Sequence, residues 1–250
     1  MYIIRKCDPF KLKTSVFLFG PRMTGKTTLL KKMQTDNYFD LLDPVLELKY
    51  RANPGLFWEE ISALPRSEAI IIDEVQKIPE LLNYVQMGID RLEQVYIMSG
   101  SSARKLKRKG VNLLGGRALT LYLHPFMYDE VSDSYNINNV LQFGSLPKIY
   151  LYHSKGNKAS SIRHLRSYVT AYIKEEIQAE ALIRNIGSFQ RFLSIAAQNN
   201  GQVIEFANIS RESSVPASTV KEYYQILEDT LIGFFLWPFD RSERKKARPK

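Results

Sequence analysis

The sequence predicts an α/β fold: a parallel sheet with helices on both faces, then a helical connector and a helix-turn-helix section closed by a short strand. Three observations carry that expectation. A glycine-bearing loop, Gly20 to Thr28, stands between an apolar run and a helical stretch. Apolar runs of strand length then alternate with amphipathic stretches as far as Phe126. Beyond Phe126 that alternation stops and helical periodicity takes over.

Residues before Ser15 read as a lead-in to the first core strand, SVFLFG. The loop follows, then a helix over Lys26 to Gln34 and a second strand in YFDLLD. Pro44 to Arg51 and Pro54 to Leu64 are amphipathic, each opening on a proline suited to a first helical turn. EAIIID, Glu68 to Asp73, is a continuous apolar run ending in acids, as a strand buried on both faces should be. A helix over Pro79 to Arg91 presents Leu81, Leu82, Val85 and Ile89 at helical spacing. Val95 to Ser99 is the next buried strand, and ALTLYL a further one after a basic loop. FGSLPKIYLY contains a turn before a helical stretch, and His153 to Ser161 reads as an exposed linker. A long helix runs from Ser161 to about Arg184, with Ile162, Leu165, Tyr168, Val169, Tyr172, Ile173, Ile177 and Leu182 as a broad stripe. SFQRFLSIAAQN, EFANISRESS and VPASTVKEYYQILED then form three helices, the third with Val220, Tyr224 and Leu227 inward and Ser218, Lys221, Glu222 and Gln225 outward. LIGFFLWPF would be a strand of a wing. The expected divisions are 1–125 for the sheet-bearing core, 126–185 for the connector and 186–250 for the winged helix with its tail.

The loop reads G-x-x-x-x-G-K-T between strand and helix, the order a phosphate-binding loop requires. Its glycines let backbone N–H groups turn toward phosphate oxygens, and the following helix offers its positive end. Gly20, Pro21, Arg22, Met23, Thr24, Gly25, Lys26, Thr27 and Thr28 form the expected nucleotide-binding set. Lys26 would reach the β- and γ-phosphates, and the Thr27 hydroxyl would coordinate Mg²⁺. Asp73 closes the buried strand, where ligands of parallel sheets gather, and can hold Mg²⁺ directly or through water. Glu74 can orient or deprotonate the attacking water. Two further residues carry open alternatives. Ser99 either bonds the attacking water or γ-phosphate, or simply begins a turn with Gly100. Arg117 either stabilises transition-state charge, often on a neighbouring subunit's nucleotide, or makes a structural ion pair.

Composition narrows the class. With 44% hydrophobic and 24% charged residues the chain has an ordinary globular balance. No apolar run is long enough for a signal peptide or a bilayer span, so a cytoplasmic protein without membrane contact is expected. Cys7 is the single cysteine, which excludes an internal disulfide or a cysteine zinc cluster. The three histidines, His124, His153 and His164, lack metal-ligand spacing and read as surface or packing residues. Of the net charge of +9, the tail Arg241 to Lys250 contributes +5. Arg104, Lys105, Lys107, Arg108 and Lys109 make a second basic cluster. Such clusters attract anionic polymers such as DNA, although Gln202 to Thr230, the stretch that would read bases, has a net charge of −3.

GPRMTGKTTLL, AIIIDEVQKIPELL, YIMSGSSARKL with LLGGR, YVTAYIKEEIQAEALIRN and STVKEYYQILEDTLIG, in this order, resemble a family of prokaryotic AAA-type ATPases. Proteins of that family carry a C-terminal winged helix followed by a restriction-endonuclease-like domain. The resemblance runs nearly end to end and implies an additional-strand P-loop core, a helical connector and a winged helix. It implies Lys26 and Thr27 as phosphate-loop residues, Asp73 and Glu74 as the Mg²⁺ and water pair, Ser99 as the polar sensor (often Thr in the family) and Arg117 as the post-loop arginine. The endonuclease-like part lies beyond the motifs present, so no nuclease activity is expected of these residues. The expected activity is Mg²⁺-dependent ATP hydrolysis coupled to a conformational change, with self-assembly into a homo-oligomer. Two rivals are a nucleotide-gated switch with little turnover and a DNA-binding regulator using the winged helix and basic tail.

Overall fold

The computed structural model describes residues 3–33, 35–66, 68–101, 106, 114–173, 177 and 185–238. Five strands, β1 (Ser15–Phe19), β2 (Tyr38–Asp40), β3 (Ile70–Asp73), β4 (Tyr96–Gly100) and β5 (Ala118–Tyr122), form one sheet in the order β2-β3-β4-β1-β5. Every pairing is parallel. β4 therefore lies between the strand that feeds the glycine loop and the strand that ends in Asp73.

The continuous apolar runs β1, β3 and β4 are buried along their whole length, because helices cover both faces. Side chains alternate across a strand, and the two faces sort accordingly. Phe17, Phe19, Ile70, Ile72, Tyr96 and Met98 pack on one side with α2 (Pro44–Ala52), α3 (Gly55–Ser62) and α4 (Leu81–Leu92). Leu18, Ile71 and Ile97 pack on the other with Leu29 and Leu30 of α1 (Lys26–Leu30) and with Cys7 and Phe10 of the lead-in. On the first side Phe17 and Phe19 stack at 5.5 Å, and the Tyr50 and Phe57 rings of α2 and α3 meet edge-on at 5.5 Å. α2 begins as its sequence requires: Pro44 occupies the first turn and the Asp43 carboxylate accepts from Val45 N–H. The helix after the loop is shorter than its periodicity suggests, giving way to a 3-10 turn over Lys31–Met33.

The connector holds α5 (Tyr128–Val131), α6 (Ile137–Phe143), α7 (Pro147–His153) and α8 (Lys158–Tyr172). His153 to Ser161, expected as a linker, is instead a helix corner. Residues 154–159 are exposed, but His153 and Ser161 at its ends are buried. Ser161 Oγ donates to the Ile149 carbonyl at 3.3 Å, and Asn157 caps α8 by accepting from Ser160 N–H. The broad stripe of the long helix is only partly buried. Tyr172 and Ile177 are interior, whereas Ile162 and Val169 face solvent. Leu182 and Arg184 lie outside the described residues.

α9 (Ile186–Gln198), α10 (Phe206–Ser213) and α11 (Ala217–Asp229) surround a second core of Phe189, Phe192, Ile209, Val220, Tyr223 and Leu227. On α11 the inward and outward sets fall as the periodicity requires: Val220, Tyr224 and Leu227 are buried, and Ser218, Lys221, Glu222 and Gln225 are exposed. The wing strand is not formed by residues 231–238. Leu231 turns through a left-handed φ of 60°, and Ile232 and Gly233 N–H both donate to the Leu227 carbonyl. Phe235 then folds back on Phe206 and Tyr224, and its N–H is taken by Glu228 at 3.2 Å, so this segment docks on α11 instead of joining a ladder.

Among the described residues no helix is long and apolar enough to cross a membrane. Both basic clusters, Arg104, Lys105, Lys107, Arg108 and Lys109 and the tail from Arg241 to Lys250, lie outside the described residues.

Candidate functional site

The glycine loop leaves the carboxyl edge of β1. A Cβ on Gly20 would stand 2.3 Å from the Leu123 carbonyl oxygen, so the close passage of the chain leaving β5 permits no side chain there. Met23 (φ 63°) and Gly25 (φ 92°) turn the loop back through left-handed backbone. Thr24, fully buried, donates its hydroxyl to the Pro21 carbonyl at 2.9 Å. The Lys26 ammonium donates to the Gly20 and Pro21 carbonyls at 2.8 and 3.1 Å and is only 6% exposed. A cation is thus held inside the loop's curve, with Thr27 and the exposed Thr28 beside it.

The adjacent strand ends carry the acids. Asp73 is fully buried. Its Oδ2 accepts from the Tyr38 hydroxyl at 2.6 Å, and its Oδ1 accepts from the Ser99 hydroxyl. Ser99 Oγ in turn accepts from Glu74 N–H at 3.1 Å. One hydroxyl on β4 therefore fixes both acids at the end of β3, which the interposed position of β4 makes possible. Ser99 lies within β4 and is fully buried, so it does not begin a turn. Burial, and then its bond to Asp73, hold the Tyr38 phenol far above its ordinary pKa, so it serves only as a neutral donor. Glu74 sits in left-handed backbone (φ 61°, ψ 46°), which turns its side chain out of the strand direction. Its Oε2 accepts from the Gln76 amide.

A cleft of about 640 Å³ joins these parts. Arg22 through Thr28 and Glu74 form one wall. Ile3, Arg5 and Phe126 form another, and Pro147, Lys148, Leu151, Tyr168 and Ala171 from α7 and α8 close it. Glu74 is the single acid among the lining residues, against the cations Arg5, Arg22, Lys26 and Lys148. An anionic ligand suits that balance.

For a divalent cation, Thr27 offers a hydroxyl at the cleft, and Asp73, buried next to the lining residue Glu74, a carboxylate whose oxygens keep lone pairs beyond their two hydroxyl partners. Hard oxygen donors in that number suit Mg²⁺, which completes its shell with water and phosphate oxygens. Among the described residues no cluster of three or more His, Cys, Asp or Glu side chains could hold a metal by itself. The histidines pack on aromatic rings: His124 on Tyr122, His153 on Tyr150 and His164 on Tyr152.

Arg117 is not brought to this cleft. It precedes β5, whose first residue pairs with Ser15 at the far end of β1. Five residues of strand separate that level from Gly20, about 17 Å at the usual rise. There its Nε donates to Asp90 Oδ1 at 2.6 Å, an exposed ion pair that raises the Arg117 pKa and lowers that of Asp90. Sequence reasoning missed Tyr38, Arg5, Gln76 and the α7–α8 wall. Only Gln76 left a signal, two residues after the acid pair.

Residues 13–132 match the family model of an AAA domain, and residues 134–250 match a domain family of unknown function. The uncharacterized proteins Mb2031c of Mycobacterium bovis and Rv2008c of Mycobacterium tuberculosis are each 26% identical over 242 residues, covering 94% of this chain and 53% of their own length. The chain thus spans about half the length of these relatives. Among solved structures, AMPPCP-bound DnaA from Aquifex aeolicus shares 14% identity at a TM-score of 0.41, over 93% of this chain and 91% of that one. RuvB of Thermotoga maritima shares 16% at 0.35, over 86% and 79%. Residues 13–132, which hold the glycine loop and all five strands of the parallel sheet, are thus similar to an AAA domain.

Proposed function

We propose that this chain binds ATP with Mg²⁺ in the cleft and hydrolyses it, Glu74 serving as general base. One observation carries the reading: a single cleft is lined by the whole loop from Arg22 to Thr28 and by the carboxylate-bearing Glu74. The Lys26 ammonium would exchange the Gly20 and Pro21 carbonyls for phosphate oxygens. Thr27 and Asp73 would hold Mg²⁺, which supplies neutralisation of phosphate charge when bound. Glu74 would take the proton of the attacking water, and Ser99 would keep Glu74 and Asp73 in register. Because α7 and α8 form part of the cleft wall, loss of the γ-phosphate would be felt by the connector.

Calorimetry with ATP and Mg²⁺ tests the loop. Lys26→Ala should weaken binding at least about tenfold, because the cation opposite the phosphates is gone. Steady-state phosphate release tests the base: Glu74→Gln should keep ATP affinity and lose turnover by about a hundredfold or more, the amide being unable to accept a proton. Unchanged affinity in the first variant, or normal turnover in the second, would overturn the assignment.

A second reading, a nucleotide-gated switch with little turnover, is favoured by the bond from the Gln76 amide to Glu74, which ties up one carboxylate oxygen. Gln76→Ala should then raise turnover. On the hydrolytic reading, Gln76 orients the carboxylate and the same change lowers turnover.

A further inference from the structure

Arg5 precedes every recognisable motif, yet it is 9% exposed and all three of its guanidinium nitrogens are engaged. Nη1 donates to the Thr24 carbonyl at 2.7 Å, Nη2 to the His124 carbonyl at 2.5 Å, and Nε to Glu130 Oε1 at 3.0 Å. The guanidinium also lies over the Phe126 ring, 5.0 Å from its centroid. The Glu130 side chain is buried completely and holds the fork from behind, while its oxygens also accept Lys6 N–H at 2.8 Å and Met127 N–H at 3.1 Å. Three segments therefore meet on one side chain: the glycine loop, the exit of β5 and the first helix of the connector.

The bond to Thr24 has a stereochemical consequence. In a trans peptide the C=O and the following N–H point in opposite directions. Holding the Thr24 carbonyl toward Arg5 fixes the Gly25 N–H on the other side of that peptide plane. Gly25 has no side chain to restrain it and sits at φ 92°, so the peptide would otherwise rotate cheaply.

We propose that Arg5 is a positioning residue that pre-sets the Thr24–Gly25 peptide for phosphate binding, and that through Glu130 it makes this setting depend on the placement of the connector. Three of the five N–H donors of Arg5 go to protein acceptors, and through the bond to Thr24 it acts on the ligand by way of the loop. The inference rests on the nucleotide-binding reading above for its purpose, but the clasp itself is testable without nucleotide.

The test uses the full 250-residue chain. Arg5→Lys keeps the charge but cannot span three acceptors with one ammonium. A second variant, Arg5→Met with Glu130→Gln, removes both buried charges together, so that neither is left unpaired if the single substitution fails to fold. Backbone ¹⁵N relaxation of Gly25, measured without nucleotide, should give an order parameter near 0.85 in the unaltered chain and below about 0.6 in either variant. ATP affinity should fall by about tenfold in the same variants, and turnover at saturating ATP should change less than affinity. An unchanged Gly25 order parameter overturns the clasp. A loosened Gly25 with ATP affinity within about twofold overturns its role in binding. Failure of the nucleotide reading looks different: Lys26→Ala then binds ATP as the unaltered chain does, while the relaxation result stands.

Discussion

Replacing Ser99 by Ala removes one oxygen from the middle of the sheet and should be felt in two assays. The hydroxyl donates to the Asp73 carboxylate and accepts from Glu74 N–H, with Asp73 fully buried. A hydrogen bond to a charged group contributes about 2 kcal/mol, and leaving the partly buried N–H unpaired costs about 1 kcal/mol more. The variant should therefore be about 3 kcal/mol less stable, lowering the melting temperature by about 8 °C for a chain of this size. The chemistry should suffer separately. Glu74 sits in left-handed backbone, which disfavours a residue with a Cβ by about 1–2 kcal/mol, and the Ser99 bond is a tie that holds it there. Turnover should drop at least about tenfold while ATP affinity stays within about threefold, because Ser99 does not line the cleft. Calorimetric melting and steady-state phosphate release read the two effects. A melting temperature within about 2 °C of the unaltered chain, together with normal turnover, would refute the bridging role.

Three other outcomes are expected. If Arg117 serves a site on a neighbouring copy, mixing Arg117→Ala with Glu74→Gln protein should restore some hydrolysis, since a mixed interface pairs an intact Glu74 with an intact Arg117; no rescue at any ratio, with mixing verified by crosslinking, removes that role. If duplex DNA binds, deleting Arg241 to Lys250 should flatten the log–log salt dependence by about 0.9 for each phosphate the tail had neutralised, and Lys221 and Gln225 substitutions should matter little. The reverse pattern would make the third helix of the C-terminal unit a base reader. The Glu47 carboxyl is held below its ordinary pKa of 4.5 by its bonds to Lys77 and Arg51. A depressed carboxylate pKa adds stability that is present above the unfolded value and lost as pH falls through the folded one. Glu47→Gln should accordingly make urea stability less pH-dependent below about pH 4.5, by about 1 kcal/mol or less for so exposed a pair.

The sheet was legible because its signals are local. Continuous apolar runs bounded by a glycine loop or by acids leave little choice but a doubly covered parallel strand, and β1, β3 and β4 fall where those runs lie. That Lys26, Thr27 and Glu74 would come to one cleft, with Asp73 at the end of β3, was legible for the same reason, as each belongs to a short stretch beside a strand. Ser99 was half legible: its place at a strand end was visible, but its partners come from another strand, and only the strand order reveals them. Tyr38 and Arg5 were invisible, being separated from their partners by 35 and 19 residues or more, with nothing periodic to link them. The wing misled because an aromatic-rich run suits a strand and a docked segment equally well. Phe235 found rings on α10 and α11 before it found a ladder. Arg117 illustrates a different gap, since a residue's distance from a site along the fold cannot be read from its distance along the chain.

The cleft and the sheet do not share a boundary. The AAA match ends at residue 132, yet Pro147, Lys148, Leu151, Tyr168 and Ala171 line the same cleft as the loop. A chain cut at that boundary would retain all five strands and forfeit the α7 and α8 lining of the cleft. The cleft is thus lined both from the sheet's loop and from α7 and α8. Substitutions that reshape the cleft therefore need not lie anywhere near the glycine loop.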